Sequence, residues 1–334
     1  MSAIDTRMEG RGLTAFRHEA LLYQGRSEFG KAVLPLIRSY LSSPASILVA
    51  VDPDKWAYLR SELGQDAGLV QFVDMRSLGR NPARIIPLWR SFVGEHPLDG
   101  LTLGVGEPVW PGRSPSELEE CELHESLLNV AFSEGPSWRL VCSYDVANLP
   151  PEAVRTALET HPFVPGFSPR ATHFREPRGL PVRFQTPLEE PTAPFHETRF
   201  ESAESLSGLR RMVVRWATAA SAKPERAADV ALAVSEIAAN SVRHGGGGGT
   251  LRVWTVADVL VLEVRDRGRI DDPLVGRTAP DPTGHGQRGL WIANQLCDLV
   301  QLRSLDDGVV VRLHVNIAVD PATGSSPDGF GPQV

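Results

Sequence analysis

Apolar residues in the first half of the chain fall alternately into helical stripes and short continuous runs. Phe29, Val33, Ile37 and Leu41 lie near one face of a helix over Glu28–Leu41. Ser46–Val51 (SILVAV) is an unbroken apolar run closed by Asp52-Pro53. That is the pattern of a strand buried on both faces, and a helix over Asp54–Leu63 follows it. Val70–Asp74 predicts a second strand, Leu101–Val105 a third and Trp138–Tyr144 a fourth. Helices are predicted from Asn81-Pro82 to His96 (with Pro87 inside), over Ser114–Phe132 and over Pro151–Thr160. Strands separated by helices mean a mainly parallel sheet covered on both faces, with ligands expected at the carboxyl ends of its strands. Those ends carry Asp52, Asp74, Gly106–Trp110 and Tyr144-Asp145. The turn after Ser46–Val51 lacks G-x-x-x-x-G-K-[ST], so no phosphate loop is expected there.

The second half has a different grammar. Pro162–Pro194 is rich in proline and charge without a sustained period. It predicts an extended linker with at most a short strand near Val182–Phe184. Ser202–Thr218 is a helix with Leu206, Leu209, Val213 and Trp216 inward, and Lys223-Pro224-Glu225 opens a second helix. Thr250–Val256 and Val259–Arg265 predict an antiparallel hairpin around Ala257-Asp258. Gly286–Asp298 is a third helix, and Leu299–Arg303 and Val309–Val315 are closing strands. Ile270–Thr283, rich in Asp, Pro and Gly, reads as a mobile lid. Residues 1–15 and 318–334 read as flexible tails.

Three stretches of this half carry candidate chemistry. On the second helix Glu236 and Asn240 stand at i and i+4 and share a face, while Val230, Val234 and Ile237 form a neighbouring anchoring stripe. Asn offers a neutral oxygen to a hard cation, and Glu can take or orient a proton. The bland alternative is a surface helix that carries Glu and Asn by chance. Asp266-Arg267-Gly268 ends a strand. An Asp there can accept a hydrogen bond from an exocyclic amine, and Gly268 lets a ring approach the backbone. Gly284–Leu290 opens a helix, where backbone N–H groups and the helix dipole hold phosphate.

In this order and spacing, residues 196–317 resemble a GHKL-type (Bergerat) ATPase domain, and more narrowly the RsbW-type anti-sigma factor serine kinases. The E-x-x-x-N box matches Glu236–Asn240, followed by Arg243-His244-Gly245. The D-x-G box matches Asp266–Gly268 and the glycine box Gly284–Leu290, with one extra residue between Gly286 and Gly289. The resemblance implies three helices on one face of a mixed sheet, ATP and Mg²⁺ as cofactors, and Asn240 as the metal ligand. It also implies Glu236 as the catalytic residue and nucleotide contacts from His244, Asp266, Gly268, Gly284, Gly286, Arg288 and Gly289. A sigma factor and a STAS-type anti-anti-sigma factor are the implied partners, and a homodimer is carried from the family. Two other readings of this domain remain: a non-catalytic, nucleotide-dependent anti-sigma binding switch, and a sensor histidine kinase. The latter needs two long helices bearing a phospho-accepting His, for which Pro165–Leu206 leaves no room.

Residues 16–162 resemble the MEDS sensory domain. The resemblance rests on His18–Tyr23 (HEALLY), Gly106–Trp110 (GEPVW) and Leu123–Asn129 (LHESLLN). It implies a small-molecule ligand, with His18, Glu19, His124, Glu125 and Trp110 as candidate contacts or else ordinary buried residues.

The whole is then a two-domain α/β chain: an α/β/α sensor without a P-loop, a linker over 163–195 and an α/β-sandwich ATPase domain. At 334 residues there is length for two cores, and 42% apolar with 22% charged residues is a globular composition. A net charge of −7 weighs against direct nucleic-acid or anionic-membrane binding. No apolar run reaches membrane-spanning length and the start MSAIDTRMEGRG lacks a signal-peptide core, so a cytoplasmic location is expected. Cys121, Cys142 and Cys297 form no metal or disulfide spacing and read as small buried hydrophobes.

Overall fold

The computed structural model describes residues 15–95, 101–164, 173–175, 180–280 and 288–317. Two five-stranded sheets organise them. The first contains β1 (Arg17–Tyr23), β2 (Ala45–Val51), β3 (Gln71–Asp74), β4 (Leu101–Gly106) and β5 (Arg139–Asp145). Its order is β1-β5-β4-β2-β3, with every pairing parallel. The crossovers hold α1 (Gly25–Leu41), α2 (Pro53–Leu63), α3 (Met75–Leu78), α4 (Ile85–Gly94), α5 (Pro115–Ala131) and α6 (Pro151–Thr160). Successive residues of β2 serve opposite faces, as the pleat dictates. Val49 and Val51 pack with Phe29, Val33 and Ile37 of α1 and Leu59 of α2. Leu48 and Ala50 pack with Trp89 and Phe92 of α4 and Leu123 and Leu127 of α5.

The first strand is β1, not Ser46–Val51, so the sheet has five strands where the apolar runs predict four. Its polar residues hid it. Glu19, 1% exposed, accepts from Arg139 at 2.8 Å across the β1–β5 pairing, so charge sits where an apolar run would be sought. The segment after this true first strand reads Gly25-Arg26-Ser27-Glu28-Phe29-Gly30-Lys31-Ala32, close to phosphate-loop spacing. Ala32 stands where that motif needs a hydroxyl, α1 begins already at Gly25, and Lys31 points to solvent. The helix predicted to reach His96 opens as a 3-10 turn at Pro82–Arg84 and ends at Gly94; His96 lies outside the described residues.

The second sheet contains β6 (His196–Phe200), β7 (Gly249–Val256), β8 (Val259–Asp266), β9 (Leu299–Leu305) and β10 (Gly308–Asn316), in the order β6-β7-β8-β10-β9. Where a mixed sheet was expected, every described pairing is antiparallel. Strand β6, HETRF, escaped the sequence pattern because an edge strand with few buried residues shows no apolar alternation. The predicted strand at Val182–Phe184 is instead a helical turn, α7 (Val182–Gln185), held by the buried Phe184. Helices α8 (Ala203–Ala219), α9 (Pro224–His244) and α10 (Arg288–Leu296) cover one face. Val213 of α8, Val230 and Val234 of α9 and Ala293 of α10 share a core with Leu251, Leu262, Val311 and Leu313 of the sheet. Across the other face the linker is tied down. Arg312 donates to the Glu189 carbonyl at 2.7 Å, and Glu190 accepts from Arg252 at 3.0 Å and Arg265 at 2.6 Å.

Candidate functional site

Helix α9 starts with Pro224 at its first turn and Glu225 beside it, and ends with Arg243 and His244 before Gly245, charges that suit both ends of the helix dipole. Its buried stripe of Val230, Val234, Ile237 and Ser241 fixes its rotation. That leaves Glu236 and Asn240 half-buried along the edge facing α10.

Strand β8 delivers Asp266 against the end of the same helix. Asp266 Oδ2 accepts from the Ser241 hydroxyl at 2.6 Å, and Oδ1 accepts from the Gly268 amide at 2.7 Å. Each carboxylate oxygen keeps a lone pair for a further donor, with the orientation already set. The approach is close enough that a Cβ on Gly245 would lie 2.4 Å from Asp266 Cγ, so any side chain there would displace the carboxylate. At the start of α10, a Cβ on Gly289 would meet Asn240 Nδ2 at 2.7 Å and Glu236 Cβ at 3.3 Å. Gly289 thus lets α10 lie directly on α9, a packing role that the motif alone does not reveal.

Between these elements lies a cavity of about 670 Å³. Its walls bring together Glu236, Asn240, His244, Asp266, Gly268, Arg288 and Gly289. The remaining two expected contacts, Gly284 and Gly286, lie outside the described residues. Arg243 also faces the cavity and donates to Asn240 Oδ1 at 3.1 Å. Ile237, Ile270, Val275, Leu290 and Val311 supply an apolar wall suited to a flat ring. The site therefore offers an amine acceptor, an apolar slot, a carboxylate, a carboxamide oxygen and cationic groups in one space of ligand size.

The described part of the expected lid is anchored. Asn294 of α10 donates to the Gly276 carbonyl at 2.9 Å. Arg277, 5% exposed, pairs at 3.3 Å with Glu120 of α5, and Arg90 of α4 bonds to the Thr278 hydroxyl. Glu120 also takes Arg303 of β9 at 2.7 Å, with both side chains 1% exposed. A further hold comes from the first sheet's domain. Arg84 donates to the carbonyls of Asn294, Gln295 and Cys297 at 2.7–2.8 Å, which satisfies orphan groups at the C-terminus of α10. Asn81, fully buried, donates to Asn294 at 3.1 Å. Long-range pairs of this kind leave no mark in local spacing.

The candidate sensor residues of the first domain divide into three environments. Asp52 and Asp74 cap helices, and Lys55 fills the carboxyl ends of the strands, bonded to Asp52 at 2.8 Å and Glu107 at 2.7 Å. Tyr23 donates to Glu107 there. Trp110 lies under the Arg113 guanidinium at 3.5 Å and borders a cavity of about 380 Å³ shared with Arg80, His314 and Asn316. His18, Glu125 and His124 are all 1% exposed. Burial drives the His18 imidazole down to about 4 and that of His124 to about 3, so both are neutral at neutral pH. Cys142, read from the sequence as a small buried hydrophobe, and His161, not singled out there, join His18 and Glu125 in one buried group.

Among the described residues no helix is long and apolar enough to cross a membrane. The family profile "MEDS: MEthanogen/methylotroph, DcmR Sensory domain" matches residues 17–162, and the profile "Histidine kinase-like ATPase domain" matches residues 201–315. No curated protein matches. A similar solved structure is the crystal structure of the RsbU and RsbW domains of Rv1364c from Mycobacterium tuberculosis. It is 19% identical over 37% of this chain and 32% of that one, with a TM-score of 0.29. The match thus spans about a third of that solved chain.

Proposed function

This chain joins a MEDS sensory domain to a histidine kinase-like ATPase domain, and on that premise we propose that it is an ATP-dependent serine/threonine protein kinase and anti-sigma factor. In this reading it holds a sigma factor and phosphorylates a STAS-type anti-anti-sigma partner, under control of its sensory domain. The supporting observation is the convergence of Glu236 and Asn240, Asp266 and Gly268, and Arg288 and Gly289 on one cavity of about 670 Å³.

The chemistry follows from those groups. Asp266 accepts the exocyclic amine of adenine with the lone pairs that Ser241 and Gly268 leave free. The apolar wall takes the ring. Asn240 would hold Mg²⁺, its oxygen passing from Arg243 to the metal, which neutralises phosphate charge when bound. Glu236 accepts the proton of the partner's hydroxyl as its oxygen bonds to the γ-phosphorus and the bond to the β-phosphate oxygen breaks, releasing ADP. Arg288 and the amides opening α10 face the transferred phosphoryl group. Control by the sensory domain is supported by Arg84 on the end of α10 and Glu120 on Arg277 of the lid.

The test is incubation of the full chain with Mg·ATP and STAS-type proteins, read by mass spectrometry for phosphoserine or phosphothreonine. Glu236→Gln is expected to lower transfer by about 10²–10⁴-fold while ATP still binds. Unchanged transfer in that variant removes Glu236 from catalysis. ATP binding without modification of any partner supports instead the nucleotide-dependent binding switch.

A further inference from the structure

Four side chains from four elements meet in the interior of the first domain: His18 on β1, Glu125 on α5, Cys142 on β5 and His161 after α6. Their ligand-type atoms lie within 4.8 Å of one another. His18 Nε2 is 3.1 Å and His161 Nε2 3.2 Å from the same oxygen, Glu125 Oε2, and Cys142 Sγ is 3.5 Å from His18 Nε2.

Hydrogen bonds on the far side of each ring fix which nitrogen faces this point. Asn129 donates through Nδ2 to the Glu125 and Thr160 carbonyls, so its Oδ1 is the end that meets His18 Nδ1 at 3.2 Å and must accept. His161 Nδ1 lies 2.8 Å from the Ala157 carbonyl, an acceptor only. Thr160 gives its hydroxyl hydrogen to Thr156 and so also accepts from that nitrogen, at 3.1 Å. Both rings therefore spend their N–H on Nδ1 and turn an Nε2 lone pair toward a carboxylate. Lone pairs facing lone pairs repel. Both Glu125 oxygens and His161 Nε2 are buried without a hydrogen-bond partner. The backing of each imidazole by a carbonyl or carboxamide is how metal-ligating histidines are oriented.

We propose that His18 Nε2, Glu125 Oε2, Cys142 Sγ and His161 Nε2 bind a divalent transition-metal ion of the Zn²⁺ class. Tetrahedral sites with metal–ligand distances of about 2.0–2.3 Å have ligand–ligand edges of about 3.3–3.7 Å. Three of the separations, 3.1, 3.2 and 3.5 Å, already lie near that range, and the rest, all within 4.8 Å, close by up to about 1 Å when an ion draws the side chains in. Two imidazoles and a thiolate select a borderline-soft metal over Mg²⁺ or Ca²⁺. Side-chain exposure of 0–2% at His18, Glu125 and His161 makes the site closed, so the ion enters during folding or a transient opening. Glu120 lies five residues before Glu125 on α5, about 7.5 Å along the helix axis, so the ion is one helix segment from the pairs with Arg277 and Arg303.

The full chain is expressed with added zinc and analysed by mass spectrometry for metal, then refolded with Co²⁺ alone. One equivalent of metal is expected, with visible bands of tetrahedral cobalt and a near-ultraviolet thiolate-to-cobalt band. Cys142→Ser should lose the thiolate band, and a chelator should lower the thermal midpoint of the wild-type chain. Folded wild-type chain that takes up no metal, or a cobalt spectrum without the thiolate band, overturns the proposal. The wild-type spectrum decides the matter even if the Cys142→Ser chain fails to fold. Uptake that persists unchanged in a folded Cys142→Ser chain also overturns it, because the metal then sits elsewhere.

Discussion

The cavity beside α9 and the interior around α5 are both polar, yet they are built on opposite principles. In the cavity Asp266 and Asn240 are oriented by few bonds and retain capacity. Asp266 has one partner per oxygen, and Asn240 Oδ1 is met by a single exposed Arg243. Around α5, Glu120 sits closed between two buried guanidiniums. Spare capacity next to open space suits a ligand that comes and goes. Closed pairs suit the holding of one element against another. If that contrast is sound, substitutions in the cavity should cost affinity and spare the fold, and substitutions along α5 should do the reverse.

The largest effect is expected at Glu120. Glu120→Ala leaves Arg277 and Arg303 buried with their shared carboxylate gone, which costs about 3–5 kcal/mol when a buried pair loses one partner. Chemical denaturation measures the loss. Hydrogen exchange should show lower protection at Leu274–Arg277, where Arg277 fastens its turn to α5 of the first domain. A loss below 1 kcal/mol would break the comparison, since the pair would then be solvated and not closed.

Asp266→Asn sharpens it from the other side. The amide oxygen can still accept from Gly268, and the amide nitrogen can donate to the Ser241 oxygen, so the local fold keeps its bonds. The remaining N–H then confronts the adenine amine, donor against donor. Nucleotide affinity by calorimetry should fall about 10–150-fold, the worth of about 1.5–3 kcal/mol for a hydrogen bond to a charged group, with thermal stability little changed. Unchanged affinity would detach Asp266 from adenine.

These two residues also mark what the sequence could disclose. Glu236, Asn240, Asp266 and Gly268 could be singled out because i, i+4 spacing and a strand ending in a turn are local patterns, and they do line one cavity, while the roles proposed for them come from the resemblance. The three helices and the parallel sheet were legible from periodicity. Strand β1 was not, because Glu19 finds Arg139 and His18 finds Asn129 across more than 100 residues, and buried polar residues break the apolar run that marks a strand. The same distance hid Cys142 and His161, whose spacing along the chain resembles no metal motif. Glu120 and Arg84 look like ordinary helix-surface charges until the second domain is packed against them.

Gly289→Ala tests whether the glycine box serves packing as well as ligand. A Cβ at 2.7 Å from Asn240 Nδ2 and 3.3 Å from Glu236 Cβ pushes α10 away from α9. Overpacking of this kind costs about 1–3 kcal/mol, and here a flexible amide can yield, so the lower end is expected. Stability and nucleotide affinity should fall together, unlike in Asp266→Asn. A variant that loses affinity alone would return Gly289 to a purely ligand-contacting role.

The last effect is a difference between two pH values and concerns His314, which borders the interdomain cavity and bonds to Gln301 at 3.0 Å. Burial, then the neighbouring Arg312 guanidinium, hold its imidazole down to about 4, against an opposing pull from Asp298. The unfolded chain takes up a proton near pH 6.5 that the folded chain refuses until about pH 4. Below pH 6.5 the unfolded state therefore binds more protons, and stability falls as pH drops through that window and levels off below it. His314→Gln keeps an amide donor toward Gln301 and removes the titration. Between pH 7 and pH 5 the wild-type chain should lose about 1–2 kcal/mol more than the variant, measured by chemical denaturation at both values. Equal losses would mean that His314 is solvated enough to titrate normally, and that the cavity it borders behaves like the open site beside α9 and not like the closed interior of α5.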